Sequence, residues 1–97
     1  MYEIIYHRFV AQKDFKKIPS DFRKKILKQI HKKLKYQPEV FGKPLQGDLK
    51  GYYRLRIESY RFVYRIEKNK VVVFILHVGA RKDFMVYMES AKRLGLL

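Results

Sequence analysis

The stretch Gly51–Glu67, GYYRLRIESYRFVYRIE, decides the fold because it contains two strand-like runs with a short polar connection between them. Residues 52–57 and 60–66 are rich in Tyr, Ile, Phe and Val, which favour strands, and Glu58 and Ser59 are enough for a tight turn. The stretch therefore predicts an antiparallel β-hairpin. Arginines interrupt it at positions 54, 56, 61 and 65, so the surface they form is either solvated or built to bind something.

Alternation of side chains along a strand divides this hairpin into two faces. One face is apolar and aromatic and is predicted to lie in the core under the helices: Tyr53, Leu55, Ile57, Tyr60, Phe62, Tyr64 and Ile66. The other face, called the arginine face below, carries Tyr52, Arg54, Arg56, Arg61, Val63 and Arg65. We interpret Arg65, which is furthest from the turn, as part of the solvated surface.

A third run, VVVFILHV at residues 71–78, completes a meander of strands. It is apolar on both sides, which is typical of a central, covered strand. Strict alternation places Val71, Val73, Ile75, His77, Gly79 and Arg81 on one side, and Val72, Phe74, Leu76 and Val78 on the other. With the right register His77 and Arg81 share the arginine face, whereas a slip of one residue would invert the strand.

The remaining segments predict one further strand, three helices and a loop. Residues 2–9 form a short β-type run, and residues 10–18 show helical spacing up to Pro19. Ser20 is predicted to cap the next helix, residues 21–36. Its apolar stripe consists of Phe22, Ile26, Leu27, Ile30 and Leu34. Residues 37–51 predict a loop, and the last residues predict a short helix that carries Tyr87.

The fold class predicted from these elements is α+β, in the order β-α-α-β-β-β-α. An N-terminal helical hairpin packs on a small antiparallel sheet, and a C-terminal helix follows. At 97 residues the chain is expected to form a single domain spanning residues 1–97.

Composition points to a polyanionic partner. The chain has 23 Lys and Arg residues against 9 Asp and Glu residues, a formal net charge of +14. Such an excess favours nucleic acid first, an anionic membrane surface second and an acidic protein third. The chain has no cysteine, and its three histidines have no ligand spacing, so we expect neither a metal nor another cofactor. No apolar run approaches the roughly 18 residues that a membrane helix needs, and no signal-peptide pattern is present, so we expect a soluble, cytoplasmic protein.

The clustered arginines leave two interpretations open. Arginines without matching carboxylates repel one another, and they persist where they are solvated or where an anion lies between them. The arginine face is therefore either a solvated sheet surface or a phosphate-binding concavity. In the second case guanidinium groups bind phosphate oxygens, and Tyr52 and Tyr87 are placed to stack on bases.

Two segments together carry a resemblance to a known family: LKGYYRLRIESYRFVY at residues 49–64 and VVVFILHVGARKDFMVY at residues 71–87. They resemble the RelE/ParE superfamily of bacterial and archaeal toxins, and its RelE branch most, and the resemblance extends over the whole chain. It implies the toxin of a type II toxin–antitoxin system. Such a toxin is a ribosome-dependent, metal-independent endoribonuclease (an mRNA interferase) that cuts mRNA in the ribosomal A site, next to ribosomal RNA. An acidic, RelB-like antitoxin would bind and neutralise it.

The resemblance also implies which residues act. The catalytic set would be Arg56, Arg61, Arg81 and Tyr87, and the RNA-binding set would be Tyr52, Arg54, Arg56 and His77. Attack of a 2′-hydroxyl on the adjacent phosphate needs a base, stabilisation of charge on the phosphorane and a proton for the leaving oxygen. Because arginine keeps its proton, Arg61 and Arg81 suit the charge-stabilising role. The base would be Tyr87 or His77. The alternative for His77 is a structural histidine packed at the end of a strand.

Two other functions stay open from the sequence. One is a ParE-like toxin that poisons DNA gyrase without cutting RNA, and the other is an RNA-binding module without catalysis. The presence of Arg61, Arg81 and Tyr87 together favours the nuclease.

Overall fold

The computed structural model describes residues 1–80 and 82–96. Its strands are β1 (Glu3–Tyr6), β2 (Lys43–Pro44), β3 (Tyr52–Ile57), β4 (Tyr60–Glu67) and β5 (Val72–Gly79), and its α-helices are α1 (Ser20–Leu34), α2 (Pro38–Phe41) and α3 (Asp83–Arg93). The predicted α+β class is confirmed. Among the described residues, none of the helices combines the length and the apolar character that crossing a membrane requires.

The strands form one five-stranded sheet in the order β1-β5-β4-β3-β2. The predicted hairpin of β3 and β4 is present, and β2–β3 and β4–β5 are also antiparallel. The prediction of a wholly antiparallel sheet is wrong, because β1 lies parallel to β5. The long connection through α1 makes this crossover possible, and nothing in the residues of β1 themselves indicates the direction of their partner.

The first predicted helix is also different in kind. Residues Val10–Asp14 form a π-helical turn, and a 3-10 turn, Phe15–Lys17, follows it. Pro19 takes the N-cap position of α1, so Ser20 lies inside the first turn and makes no capping hydrogen bond. The predicted loop of residues 37–51 contains α2, β2 and a further 3-10 turn.

A β-bulge in β5 changes which side chains share a face. Val63 of β4 pairs with His77, but the next residue, Tyr64, pairs with Ile75, so Leu76 is an extra residue in β5. Alternation is therefore interrupted at Leu76. As a result Val78 faces the same side as Ile75, although strict alternation predicted opposite sides, while His77 lies on the arginine face across from Val63.

The sheet has a core on each side. The larger one lies under α1, where Ile26, Ile30 and Leu34 pack against the apolar face of the hairpin and of β5. Phe22 only borders this core. The smaller core lies under α3 and consists of Leu45, Leu49, Val63, Leu76 and Val86. Since α3 covers the arginine face, the smaller core holds α3 against the residues of that face.

A buried ion pair completes the sheet edge where β1 ends. β1 pairs with β5 only as far as Ile75. Beyond it, the Asp14 carboxylate accepts a hydrogen bond from the Val78 backbone N–H at 3.0 Å, and Arg93 of α3 donates to the Leu76 carbonyl at 3.1 Å. Arg93 also donates to both Asp14 oxygens, at 2.7 and 3.2 Å. These two side chains thus form hydrogen bonds to backbone groups of β5 that a neighbouring strand would otherwise bind. They also connect the π-helical turn to α3.

We expect Val71→Asn to stabilise the protein by about 1 kcal/mol, because Val71 has a left-handed backbone (φ 54, ψ 47) that a β-branched residue adopts at a cost. Asparagine tolerates this conformation, and Val71 is exposed, so little burial is lost. Urea unfolding would measure the change. The same substitution at Val40, which is exposed in the right-handed helix α2, is the control and is expected not to stabilise. A Val71→Asn protein less stable than the original would contradict this reading of the backbone.

Candidate active site

Three arginines come together on the hairpin end of the arginine face. Arg56 of β3 is directly opposite Arg61 of β4, and Arg54 is two residues along β3 on the same face. These three residues are called the arginine cluster below. The side chains of Arg54 and Arg61 are only 14% and 17% exposed, whereas that of Arg56 is 51% exposed. The cluster therefore has two guanidinium groups that line its base and one that reaches solvent.

The arginine cluster has a matching carboxylate, which the sequence analysis did not anticipate. Asp83, the first residue of α3, accepts a hydrogen bond from Arg61 Nε on Oδ1 at 2.7 Å. Its other oxygen, Oδ2, is 3.5 Å from Arg56 Nη2 and 3.7 Å from Arg54 Nε. The mutual repulsion of the arginines is thus offset inside the protein by one acidic side chain.

The charge state of Asp83 follows from these contacts. Partial burial disfavours its ionised form, but the hydrogen bond from Arg61 and the charges of Arg54, Arg61 and Arg56 outweigh that effect and lower the pKa of Asp83 below its usual value. Asp83 is therefore a carboxylate at neutral pH.

Tyr87 lies one helical turn beyond Asp83 on α3 and also contacts the cluster. Its hydroxyl oxygen accepts a hydrogen bond from Arg54 Nε at 3.2 Å. Spacing of four residues puts Asp83 and Tyr87 on the same helix face. The structure thus brings together Arg54, Arg56, Arg61 and Tyr87, which are four of the residues that the sequence analysis selected.

An apolar groove of about 440 Å³ lies beside Tyr87. It runs between α3 and the turn after β2, and its walls include Leu45, Leu49, Phe84 and Met88. An aromatic and apolar surface next to a cationic cluster suits a nucleotide, whose base has flat faces that stack on such a surface and whose phosphate is charged.

Tyr52 and Arg65 contact each other further along the same face. Arg65 Nη1 donates to the Tyr52 hydroxyl at 3.0 Å, and Arg65 Nε donates to Glu67 at 3.0 Å. The Arg65 guanidinium also stacks over the Phe74 ring, 4.4 Å from its centroid. The interpretation of Arg65 as merely solvated is therefore wrong, because it is half-buried and has partners on three sides.

His77 is on the arginine face but is 2% exposed. Its Nδ1 is 3.5 Å from Asp14 and its Nε2 is 3.7 Å from Glu89. Burial lowers its pKa; the nearby Asp14 opposes that change, while Arg93 adds to it. His77 is thus a neutral, buried ring next to α3.

Arg81 lies outside the described residues. Among the described residues, Asp83 is the charged member of this site that sequence reasoning missed. Its signal was available, since it is an acidic residue at the start of a predicted helix, four residues before the selected Tyr87. The described residues contain no group of three or more His, Cys, Asp or Glu side chains that could hold a metal ion.

Comparisons with known proteins find similarity to bacterial toxins. A family model described as the ParE toxin of the type II toxin–antitoxin system parDE matches residues 9–84. The mRNA interferase toxin RelE of Escherichia coli K12 is 35% identical over 85 residues, which are 87% of this chain and 88% of that protein.

Solved structures agree with the sequence matches. The toxin–antitoxin complex RelBE2 from Mycobacterium tuberculosis contains a chain with a TM-score of 0.75 and 30% identity, over 82% of this chain and 98% of that one. A mutant of the E. coli toxin RelE in the free state gives a TM-score of 0.71 at 30% identity, over 96% and 97% of the two chains.

Proposed function

Since the chain belongs to the RelE/ParE superfamily of type II toxin–antitoxin toxins, we propose that it is a ribosome-dependent endoribonuclease that cuts mRNA. One observation carries the proposal. Arg54, Arg56 and Arg61 surround the Asp83 carboxylate, and Arg54 also contacts Tyr87, in a chain that is 35% identical to an mRNA interferase.

The proposed reaction is attack of a ribose 2′-oxygen on the adjacent phosphorus. The 2′-hydroxyl gives up its proton, a bond from the 2′-oxygen to phosphorus forms, and the bond from phosphorus to the 5′-oxygen breaks. The products are a 2′,3′-cyclic phosphate and a 5′-hydroxyl, and the leaving oxygen takes up a proton. Negative charge accumulates on the phosphorane between these events, and fixed cations lower the barrier most at that stage.

The arginine cluster supplies such cations. Arg61 donates from the base of the site and is positioned by a second hydrogen bond from its Nη1 to the Ser59 carbonyl at 2.7 Å. Arg56 is the most exposed member and is suited to grip the RNA backbone. Arg54 contributes its charge beside Tyr87. By the family resemblance, Arg81 is a second cation that stabilises the charge on the phosphorane, and the Tyr52 ring contacts RNA.

Tyr87 is the candidate for proton transfer. Arg54 donates to the phenol oxygen, which fixes its position and leaves the phenol O–H free to point towards a bound substrate. A hydroxyl placed in this way is suited to protonate the leaving 5′-oxygen. The buried position of His77 does not support it as the group that takes the 2′-proton, so the base stays unassigned.

The partners follow from charge and family. We propose that an acidic, RelB-like antitoxin binds this protein in a heteromeric complex and covers the arginine face. The net charge of +14 suits both that partner and ribosomal RNA. Because the substrate is mRNA on the ribosome, the proposed site of action is the cytoplasm.

A reconstituted translation reaction tests the function. Purified protein is added to a translated mRNA, and the mRNA ends are mapped by primer extension with and without ribosomes. Cuts that depend on ribosomes support the proposal. Intact mRNA together with trapped gyrase–DNA complexes would instead support a gyrase poison, and intact mRNA with RNA binding alone would support a non-catalytic module.

We expect Tyr87→Phe to slow cleavage by about a hundredfold, because loss of a positioned proton-transfer group typically has an effect of that size. The ring, and with it the apolar packing, is retained. Single-turnover cleavage on ribosomes measures the rate, and Tyr36→Phe, at an exposed tyrosine after α1, is the control. If Tyr87→Phe cuts as fast as the original protein, Tyr87 has no role in proton transfer.

A further inference from the structure

Asp83 occupies the centre of the arginine cluster, where an anionic ligand would bind. We propose that Asp83 is an internal occupant of the phosphate site, and that RNA binds by exchanging its phosphate for the Asp83 carboxylate in the arginine cluster. This inference rests on the proposed function, since it takes RNA as the ligand. It assigns Asp83 the role of a positioning residue that sets how readily the site accepts a substrate.

The contacts of Asp83 are those that a phosphate would make. Its two oxygens are approached by guanidinium nitrogens from two strands: Oδ1 by Arg61 at 2.7 Å, and Oδ2 by Arg56 at 3.5 Å and Arg54 at 3.7 Å. Carboxylate and phosphate oxygens are both ligands that guanidinium groups bind through paired N–H donors. The carboxylate therefore stands where the charge of a bound phosphate would be neutralised.

Asp83 and a phosphate cannot share the cluster without cost. Asp83 is ionised, so a phosphate placed among the same guanidinium groups would meet a negative charge of the same sign at close range. Arg61 would also have to divide its donors between two acceptors, while its Nη1 already donates to Ser59. Exchange of one anion for the other avoids both problems.

The local structure permits this exchange. Asp83 is the first residue of α3, the preceding Lys82 is exposed and has a non-helical backbone (φ −54, ψ 152), and Phe84 is 67% exposed. Burial on α3 begins at Val86, which packs in the smaller core. The first turn can therefore move while the rest of the helix stays in place, and Tyr87 remains beside the site.

The inference predicts that Asp83→Asn binds RNA about tenfold more tightly than the original protein, because a competing anion is removed and the arginines lose their internal partner. The probe is a short, single-stranded RNA with 2′-O-methyl riboses, which cannot be cleaved, and fluorescence anisotropy measures its affinity. Equal or weaker binding by Asp83→Asn overturns the proposal.

Glu67→Gln is the matched control. Its carboxylate pairs with Arg65 at 3.0 Å and is 30% exposed, against 31% for Asp83, and the substitution changes the net charge by the same amount. We expect its affinity to stay within about twofold of the original protein, since surface charge away from the cluster contributes little. If Glu67→Gln tightens binding as much as Asp83→Asn does, net charge alone explains the effect and the proposal fails.

A second readout uses inorganic phosphate. Phosphate should raise the melting temperature of Asp83→Asn more than that of the original protein or of Glu67→Gln, because a ligand stabilises the state that binds it. An equal rise in all three proteins contradicts the exchange. If Asp83→Asn does not fold, Asp83→Ser replaces it, since serine is also favourable at a helix N-terminus.

The outcomes for the exchange and for the function are separable. If the original protein cuts mRNA on ribosomes but Asp83→Asn binds the probe no better, the exchange is refuted and the function stands. If the original protein does not cut mRNA but Asp83→Asn binds the probe and phosphate more strongly, the exchange stands and the function is refuted.

Discussion

Arg61→Ala is expected to slow ribosome-dependent mRNA cleavage by about a hundred- to a thousandfold, the range seen when one fixed donor to a developing oxyanion is removed. Arg61 makes the shortest contact in the arginine cluster, 2.7 Å to Asp83, and its guanidinium is held by Ser59 as well. Such a pre-positioned cation need not reorganise when charge appears on the phosphorane. Single-turnover cleavage on ribosomes measures the loss.

Arg65→Ala is the control for Arg61→Ala. Arg65 lies on the same strand and the same face and also pairs with a carboxylate, but its partners are Glu67 and Tyr52 instead of the arginine cluster. We expect Arg65→Ala to retain cleavage within a small factor. Equal losses in the two variants would show that positive charge on this face matters in general, and the assignment of Arg61 to the phosphorane would then be wrong.

The second large effect concerns stability. Arg93→Ala is expected to reduce the free energy of unfolding by about 3–5 kcal/mol, because it removes the guanidinium that neutralises the buried Asp14 carboxylate. It also removes the donor to the Leu76 carbonyl at the sheet edge. For a chain of this size the loss is a large share of a total of about 5–15 kcal/mol. Urea unfolding followed by circular dichroism measures it.

Lys92→Ala controls for the loss of a positive charge near the end of α3. Lys92 is exposed and precedes Arg93 directly, so the two variants have the same net charge and the same gain in helix propensity. We expect Lys92→Ala to change stability by less than about 0.5 kcal/mol. An Arg93→Ala protein as stable as Lys92→Ala would mean that Asp14 finds another partner or is hydrated.

Local patterns predicted the centre of the fold. The hairpin of β3 and β4 has the predicted bounds to within a residue, because alternation and a two-residue turn are properties of neighbouring residues. The stripe of α1 is equally local, and Ile26, Ile30 and Leu34 are buried as expected. The three arginines could be predicted to share a face because alternation along that hairpin is a local pattern. The family resemblance selected Tyr87 on the helix.

The differences arise where distant segments meet. The parallel direction of β1 depends on β5, some 70 positions away, and is not encoded in the residues of β1. The bulge at Leu76 has no glycine or proline to mark it, so strict alternation was misleading for Val78. Asp83 has a local signal in its position four residues before Tyr87, but its partners are on β3 and β4 and become apparent only when α3 lies on the sheet.

The ion pair between Asp14 and Arg93 has a consequence for biosynthesis. These residues are 79 positions apart, so a ribosome adds Arg93 after both the strands and the residues of α3 that reach the arginine cluster. Until then the nascent chain lacks the guanidinium that pairs with Asp14 at this sheet edge. The ion pair that connects α3 to this sheet edge can therefore form only after synthesis has passed Arg93.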